Sequence, residues 1–143
     1  MKLDELTHEI IGAAMKVHSK LGPGLLESAY EVCLEYELKK HGFKVERQKA
    51  LPVVYEDVHL DCGYRSDLLV NDSVILELKA VESLQPIHDA QLLSYLRLAD
   101  LHIGLLINFH VLHLRDGIKR LVHDYQELPL RSSASSAVRR DSP

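Results

Sequence analysis

Asp67-Leu68-Leu69-Val70-Asn71-Asp72-Ser73-Val74-Ile75-Leu76-Glu77-Leu78-Lys79 reads as two extended segments joined by a turn. Apolar residues stand on both sides of Asn71-Asp72-Ser73, which favour turns, so residues 58–70 and 74–80 are predicted to be paired strands. Glu77 and Lys79 are two apart and leave their strand on one face. The place of Asp67 depends on the turn. A two-residue loop at 71–72 pairs Asp67 with Leu76 and puts it on the face opposite Glu77. A three-residue loop pairs 70 with 74, hence 67 with 77, and brings the two Cβ atoms to about 4.5–5.5 Å.

Carboxylates at that distance repel, and burial makes the repulsion worse. A divalent cation removes the conflict. Mg²⁺ suits such a place, because it takes few carboxylates and keeps waters and substrate phosphate oxygens. Lys79 on the same face can orient or deprotonate the attacking water, or neutralise charge developing on a phosphate. The plain alternative is a solvated strand face with an ordinary Glu–Lys pair. Val74-Ile75-Leu76 and Leu78 weigh against it, since they put the strand inside a sheet, where charged residues are rare unless paired or liganded.

Upstream, Leu3, Leu6, Ile10, Ala13, Ala14, Val17 and Leu21 recur at helical spacing, and the helix is predicted to stop at Gly22-Pro23-Gly24. A second helix is predicted from near Leu25 to about His41, with Gly42 as a left-handed cap. Residues 43–49 and 51–56 read as strands, interrupted by Pro52, which suits an edge. Downstream, Pro86 opens a third helix that runs to Ala99. Residues 103–109 are a nearly continuous apolar run and read as a buried strand. A short strand, 111–114, is predicted to pair through Arg115-Asp116-Gly117 with 118–122. The order α-α-β-β-β-β-α-β-β points to an α/β fold.

The chain has 143 residues, room for one domain, which we place at 1–125. Residues 126–143 are Ser-rich towards the end and are expected to form a disordered tail. With 46% hydrophobic and 27% charged residues the composition is that of an ordinary globular protein. No apolar run approaches the roughly 20 residues of a membrane span. Met1-Lys2-Leu3-Asp4-Glu5 lacks the apolar core of a signal peptide, so a cytoplasmic location is expected. Cys33 and Cys62 belong to no metal-binding or disulfide pattern and are expected to be buried thiols. The net charge of −4 argues against broad polyanion binding, although acidic metal ligands are counted in it.

Taken together, Asp67…Glu77-X-Lys79 resembles the core of the PD-(D/E)XK nuclease superfamily. Gln91-Leu92-Leu93-Ser94-Tyr95 is similar to the QxxxY element of its RecB-like members, and Gly24-Leu25-Leu26-Glu27-Ser28-Ala29-Tyr30 resembles the signature of the small GxxExxY proteins. The motifs occur in the expected order between about Leu6 and Val122. One departure is Ser66, which stands where the superfamily's name has proline.

The resemblance implies a mixed central β-sheet flanked by helices, the restriction-endonuclease-like core. It further implies hydrolysis of phosphodiester bonds in nucleic acid, DNA rather than RNA, leaving 5′-phosphate and 3′-hydroxyl ends. Asp67 and Glu77 are implied ligands of Mg²⁺, with Mn²⁺ as substitute, and Glu27 is implied to reach the metal directly or through water. Lys79 would act on the attacking water, and Gln91 and Tyr95 would support it. Tyr30 is expected to pack beneath the site. His88, one turn before Gln91, is a further candidate, whereas His110 and His113 have the wrong spacing for a metal pair on a strand. Arg47, Lys49, Arg65 and Arg97 are candidate phosphate contacts. A homodimer is compatible with cutting two strands, and no membrane partner is expected. The rival reading is a non-catalytic nucleic-acid-binding or regulatory protein on a nuclease scaffold.

Overall fold

The helical periodicity of the first forty residues is realised as α1 (Leu3–Leu21) and α2 (Glu27–Lys40) in a computed structural model, which describes residues 1–125. The predicted tail, 126–143, lies outside the described residues. The apolar stripe of α1, from Leu6 through Val17, is buried. Between the helices Tyr30 is fully buried: its hydroxyl donates to the Gly22 carbonyl at 2.6 Å and accepts the Leu25 N–H at 3.1 Å. Its ring stacks on Phe109 at 4.4 Å. The tyrosine therefore closes the α1–α2 turn. α2 ends on Gly42, at φ +87°, with the Gly42 and Phe43 N–H groups satisfying the carbonyls of Lys39 and Leu38.

Among the described residues seven strands follow: β1 (Val45–Ala50), β2 (Val53–Tyr55), β3 (Val58–Leu60), β4 (Arg65–Val70), β5 (Val74–Lys79), β6 (Ile103–Asn108) and β7 (Ile118–Val122). A third helix, α3 (Pro86–Ala99), connects β5 to β6. Five strands form a mixed sheet in the order β1-β4-β5-β6-β7, in which β5 and β6 are parallel and the other neighbours antiparallel. Every residue of β6 is buried, as its unbroken apolar run requires. Alternation divides the core. Leu68, Val70, Val74, Leu76 and Leu78 pack with α1 and α2, while Leu69 and Ile75 pack with Leu92, Tyr95 and Leu96 of α3.

The structure corrects three expectations. Residues 58–70 are not one strand. Asp61 accepts the Gly63 N–H on its own side chain at 3.1 Å, and Gly63 takes φ +81°, so the chain turns and separates β3 from β4. β3 pairs back on β2 as a two-stranded hairpin outside the main sheet. Residues 111–114 form no strand either. The Val111 carbonyl is taken by His18 Nε2 at 2.8 Å, and the chain tightens into a 3₁₀ turn at Leu114–Gly117, so that β7 returns along β6. His110 and His113 accordingly sit exposed in the connection. The cysteines are free but not both buried: Cys33 is half-buried, and Cys62 is exposed because it lies on the 61–64 turn.

Gly117 lets that turn close, for a Cβ there would collide with the Asn108 carbonyl oxygen, a backbone atom with nowhere to go. Gly117→Ala should lower stability by about 1–3 kcal/mol in urea unfolding. Gly104→Ala should lower it less, because its methyl meets the Leu92 side chain, 2.9 Å away, and not a backbone atom.

Candidate functional site

The turn between β4 and β5 sets the geometry of the acidic pair. Asn71 and Asp72 adopt φ +52° and +53°, the Ser73 N–H returns to the Val70 carbonyl at 2.9 Å, and Val70 pairs with Val74. The three-residue loop is therefore the one realised. The register continues through Leu69↔Ile75 to Leu68↔Leu76. At the next step side chains replace the ladder. The Asp67 N–H donates to Glu77 Oε2 at 2.9 Å, and the Leu78 N–H donates to Asp67 Oδ2 at 2.8 Å. The two carboxylates interleave across the gap between strands.

On the other edge of β4 the pairing with β1 skips the same position, running from Arg47↔Leu68 to Lys49↔Ser66. Gln48, opposite Asp67, takes φ +55°. Its amide donates to Glu31 Oε1 at 3.0 Å and to Asp67 Oδ1 at 3.4 Å. Ser66, at the position of the superfamily's proline, is buried, and its hydroxyl meets no hydrogen-bond partner among the described residues.

Burial, and then the Asp67 charge beside it, push the Glu77 carboxyl up to about 8. Burial raises Asp67 as well, and the Lys79 ammonium pulls both down without cancelling the effect. Both carboxyls therefore resist ionisation unless a cation compensates them. Glu31 is raised too, chiefly by burial and partly by Asp67, while the Gln48 hydrogen bond opposes the shift.

Lys79 ends β5, and its carbonyl accepts the Phe109 N–H at 2.8 Å. Just beyond, Asn108 clamps the chain: its Oδ1 accepts the Val81 N–H at 3.1 Å, and its Nδ2 donates to the Val81 carbonyl at 2.9 Å. Lys79, Gln91, Tyr95 and His88 line one cleft of about 720 Å³ between the end of β5 and α3, closed on the far side by Val53 and Tyr64. Gln91 donates to the Tyr95 hydroxyl at 3.2 Å. Burial, followed by the charges of Glu77 and Asp67, raises the Tyr95 phenol.

Asp67 and Glu77 are not among the residues that line this cleft, and neither is Glu27. Glu27 comes from the start of α2, on the other layer, and accepts the Ala80 N–H at 3.1 Å, one residue past Lys79. Its charge still reaches Asp67 and helps to raise it. Of the candidate phosphate contacts, Arg97 lines the cleft. Arg47 faces Glu31 and Glu35, Lys49 faces Glu46 and Arg65 faces Asp61.

Sequence reasoning missed Glu31, Gln48 and Tyr64. The signal for Glu31 was present: it lies four residues after Glu27 and so on the same helix face. Gln48 gave none, because only the interrupted pairing marks it.

Among the described residues no three His, Cys, Asp or Glu side chains converge as a metal cage. The donor set is instead two adjacent, largely buried carboxylates whose charges lack full compensation. That set fits a Mg²⁺-like ion that keeps most of its waters; it does not fit an all-protein site of the zinc kind.

A mixed five-stranded sheet flanked by helices, with two carboxylates and a lysine where two strands part, defines the class as a nuclease-like α/β core. A family model described as the PD-(D/E)XK nuclease superfamily matches residues 4–121, and the chain belongs to that superfamily. Such nucleases act on nucleic acid and generally use divalent metals. No curated protein and no solved structure matched the chain. No helix among the described residues is long and apolar enough to cross a membrane.

A carboxyl raised in the folded state makes that state bind more protons than the unfolded chain, so stability falls as pH rises between the two values. For Glu77 the window runs from the ordinary 4.5 to about 8. In chelator, Glu77→Gln should therefore be more stable than the wild type, by a margin that grows to a few kcal/mol across this window and then levels off. Melting curves at several pH values read this directly; a constant margin would show that Glu77 titrates normally.

Proposed function

We propose that this protein is a Mg²⁺-dependent nuclease, with Mn²⁺ as substitute, that hydrolyses phosphodiester bonds in DNA in preference to RNA. The proposal includes membership of the RecB-like branch and of the GxxExxY group, on the strength of Gln91…Tyr95 and Gly24…Glu27…Tyr30. The observation that carries the activity is the interleaving of Asp67 and Glu77 beside Lys79, which holds uncompensated negative charge in a fixed place.

Asp67 and Glu77 would hold the ion, and Glu27, anchored on Ala80, would reach it through water. Bound there, a divalent cation supplies Lewis acidity towards a phosphoryl oxygen and eases ionisation of a water. The chain's own residues do the rest. Asp67 and Glu77 need no reorganisation, because backbone N–H groups already orient both carboxylates. Lys79 lines the cleft, where its ammonium would stabilise charge that grows on the non-bridging oxygens during in-line attack. Gln91 and Tyr95 bond to each other and form the wall beside Lys79. Tyr95 keeps its proton, since burial and both carboxylates oppose ionisation, and so presents a hydroxyl donor.

Purified protein should cleave nucleic acid with Mg²⁺ or Mn²⁺, stop with a chelator, and turn over poorly with the larger, loosely coordinated Ca²⁺. Lys79→Ala should lose about 10²–10³-fold in rate while keeping the Mg²⁺-dependent rise in melting temperature. Asp67→Asn should lose both the rate and that rise, because a charged oxygen ligand is gone. An active Lys79→Ala protein would remove the lysine from the mechanism. Failure to cleave any nucleic acid with either metal would favour the non-catalytic scaffold reading.

A further inference from the structure

The cleft beside Lys79 has one wall that α3 does not supply. Tyr64 closes it opposite α3, 46% exposed, with its ring 6.3 Å from that of Tyr95 and tilted by 55°. Tyr95 is buried and hydrogen-bonded, so its position is fixed. Tyr64 is tied down through its backbone, whose carbonyl accepts the Leu51 N–H at 2.9 Å and an Arg65 guanidinium N–H at 3.1 Å. Much of the ring is open to a ligand.

We propose that this cleft takes an unpaired nucleotide with its base stacked on Tyr64, which makes the substrate a single strand or a frayed end rather than an intact duplex. The proposal rests on the nuclease reading and names its substrate class.

Three observations carry it. The first is size, since about 720 Å³ suits a ligand of drug-like dimensions, on the scale of one or two nucleotides. A paired base would have to leave its stack to enter, which costs a few kcal/mol unless the strand is already single. The second is chemistry. The cleft combines a half-exposed aromatic ring with the cations of Lys79 and Arg97. A stacking face beside backbone-tracking cations is how single strands are held without regard to sequence. His88 adds a donor: its Nδ1 accepts the Gln85 N–H at 2.9 Å, which leaves Nε2 to carry the ring's proton.

The third is the shortage of positive charge elsewhere. Duplex binding draws on many phosphate contacts along a basic surface. Here the formal net charge is −4, and Arg47, Lys49 and Arg65, close to the acidic pair in the sheet, are each engaged by carboxylates. What remains favours one short strand.

The chain has no tryptophan, so Tyr64→Trp supplies a lone indole reporter at the stacking position. With Ca²⁺ present, short oligothymidylate and oligouridylate should quench its emission to saturation, and a blunt duplex of equal length should need at least about ten-fold more. In fluorescence anisotropy with labelled oligothymidylate, Tyr64→Ala should bind about five- to 100-fold more weakly than wild type, and Tyr64→Phe within about two-fold. A purely structural tyrosine would give no quenching. Equal affinity for duplex and single strand, unchanged binding by Tyr64→Ala, or absence of quenching each overturns the proposal. Selective quenching without cleavage in Mg²⁺ would sustain the binding site and sink the nuclease reading, whereas duplex cleavage without quenching would do the reverse.

Discussion

Backbone N–H groups inside a sheet must find acceptors, and those of neighbouring strands normally find carbonyls. At Asp67 and Leu78 they find carboxylates reaching across from the opposite strand. A side-chain acceptor is longer than a carbonyl, so β4 and β5 part at this level while their register below is kept by the Asn71-Asp72-Ser73 turn. The site follows from that exchange. The carboxylates are fixed by the same hydrogen bonds that satisfy the backbone, so neither needs water to hold its orientation. Gln48, opposite the same residue on β1, leaves regular strand conformation and turns its amide to Asp67.

The arrangement holds like charges together in a place of low polarity, and burial is the first cause of the upward shift of both carboxyls. It persists because its surroundings are stable without it. β6 is buried along its whole length and pairs with β5 over six residue pairs, up to Lys79↔Asn108. Apolar layers cover the sheet on both faces, one from α1 and α2, the other from α3. A strained centre on a well-packed support is the usual relation between a functional site and its fold.

Much of this was legible in the sequence. The apolar alternation and the turn residues led to β4 and β5, and one of the two loop lengths they allowed led to the meeting of Asp67 with Glu77. Helix limits came out within two residues, because Gly22-Pro23-Gly24, Gly42 and Pro86 are local signals. The failures have a common cause, which is that a remote group decides a local conformation. Residues 111–114 carry a strand-like pattern, but His18, from α1, captures the Val111 carbonyl. Residues 58–64 look continuous with β4, yet the Asp61 side chain and Gly63 turn them away. Gln48 reads as an ordinary strand residue, and only its placement opposite Asp67 gives it significance. Glu27 approaches from the layer opposite α3 and meets the end of β5 through Ala80, a contact with no mark in the sequence.

The Asn108 clamp bears on how the cleft can change width. Because Asn108 ties Val81 to the end of β6, the segment that leads into α3 is fastened close to both parallel strands. α3 is also anchored on the sheet by Leu92 and Leu96, so the wall carrying Gln91 and Tyr95 moves only with the sheet. The opposite wall is built differently. β2 and β3 pair with each other, and apart from the half-buried Val53 their residues are exposed. The cleft is thus mechanically lopsided, a stiff jaw against a compliant one. The compliance belongs to the β2–β3 hairpin behind Val53, while Tyr64 stays tied to the end of β1 through the Leu51 N–H.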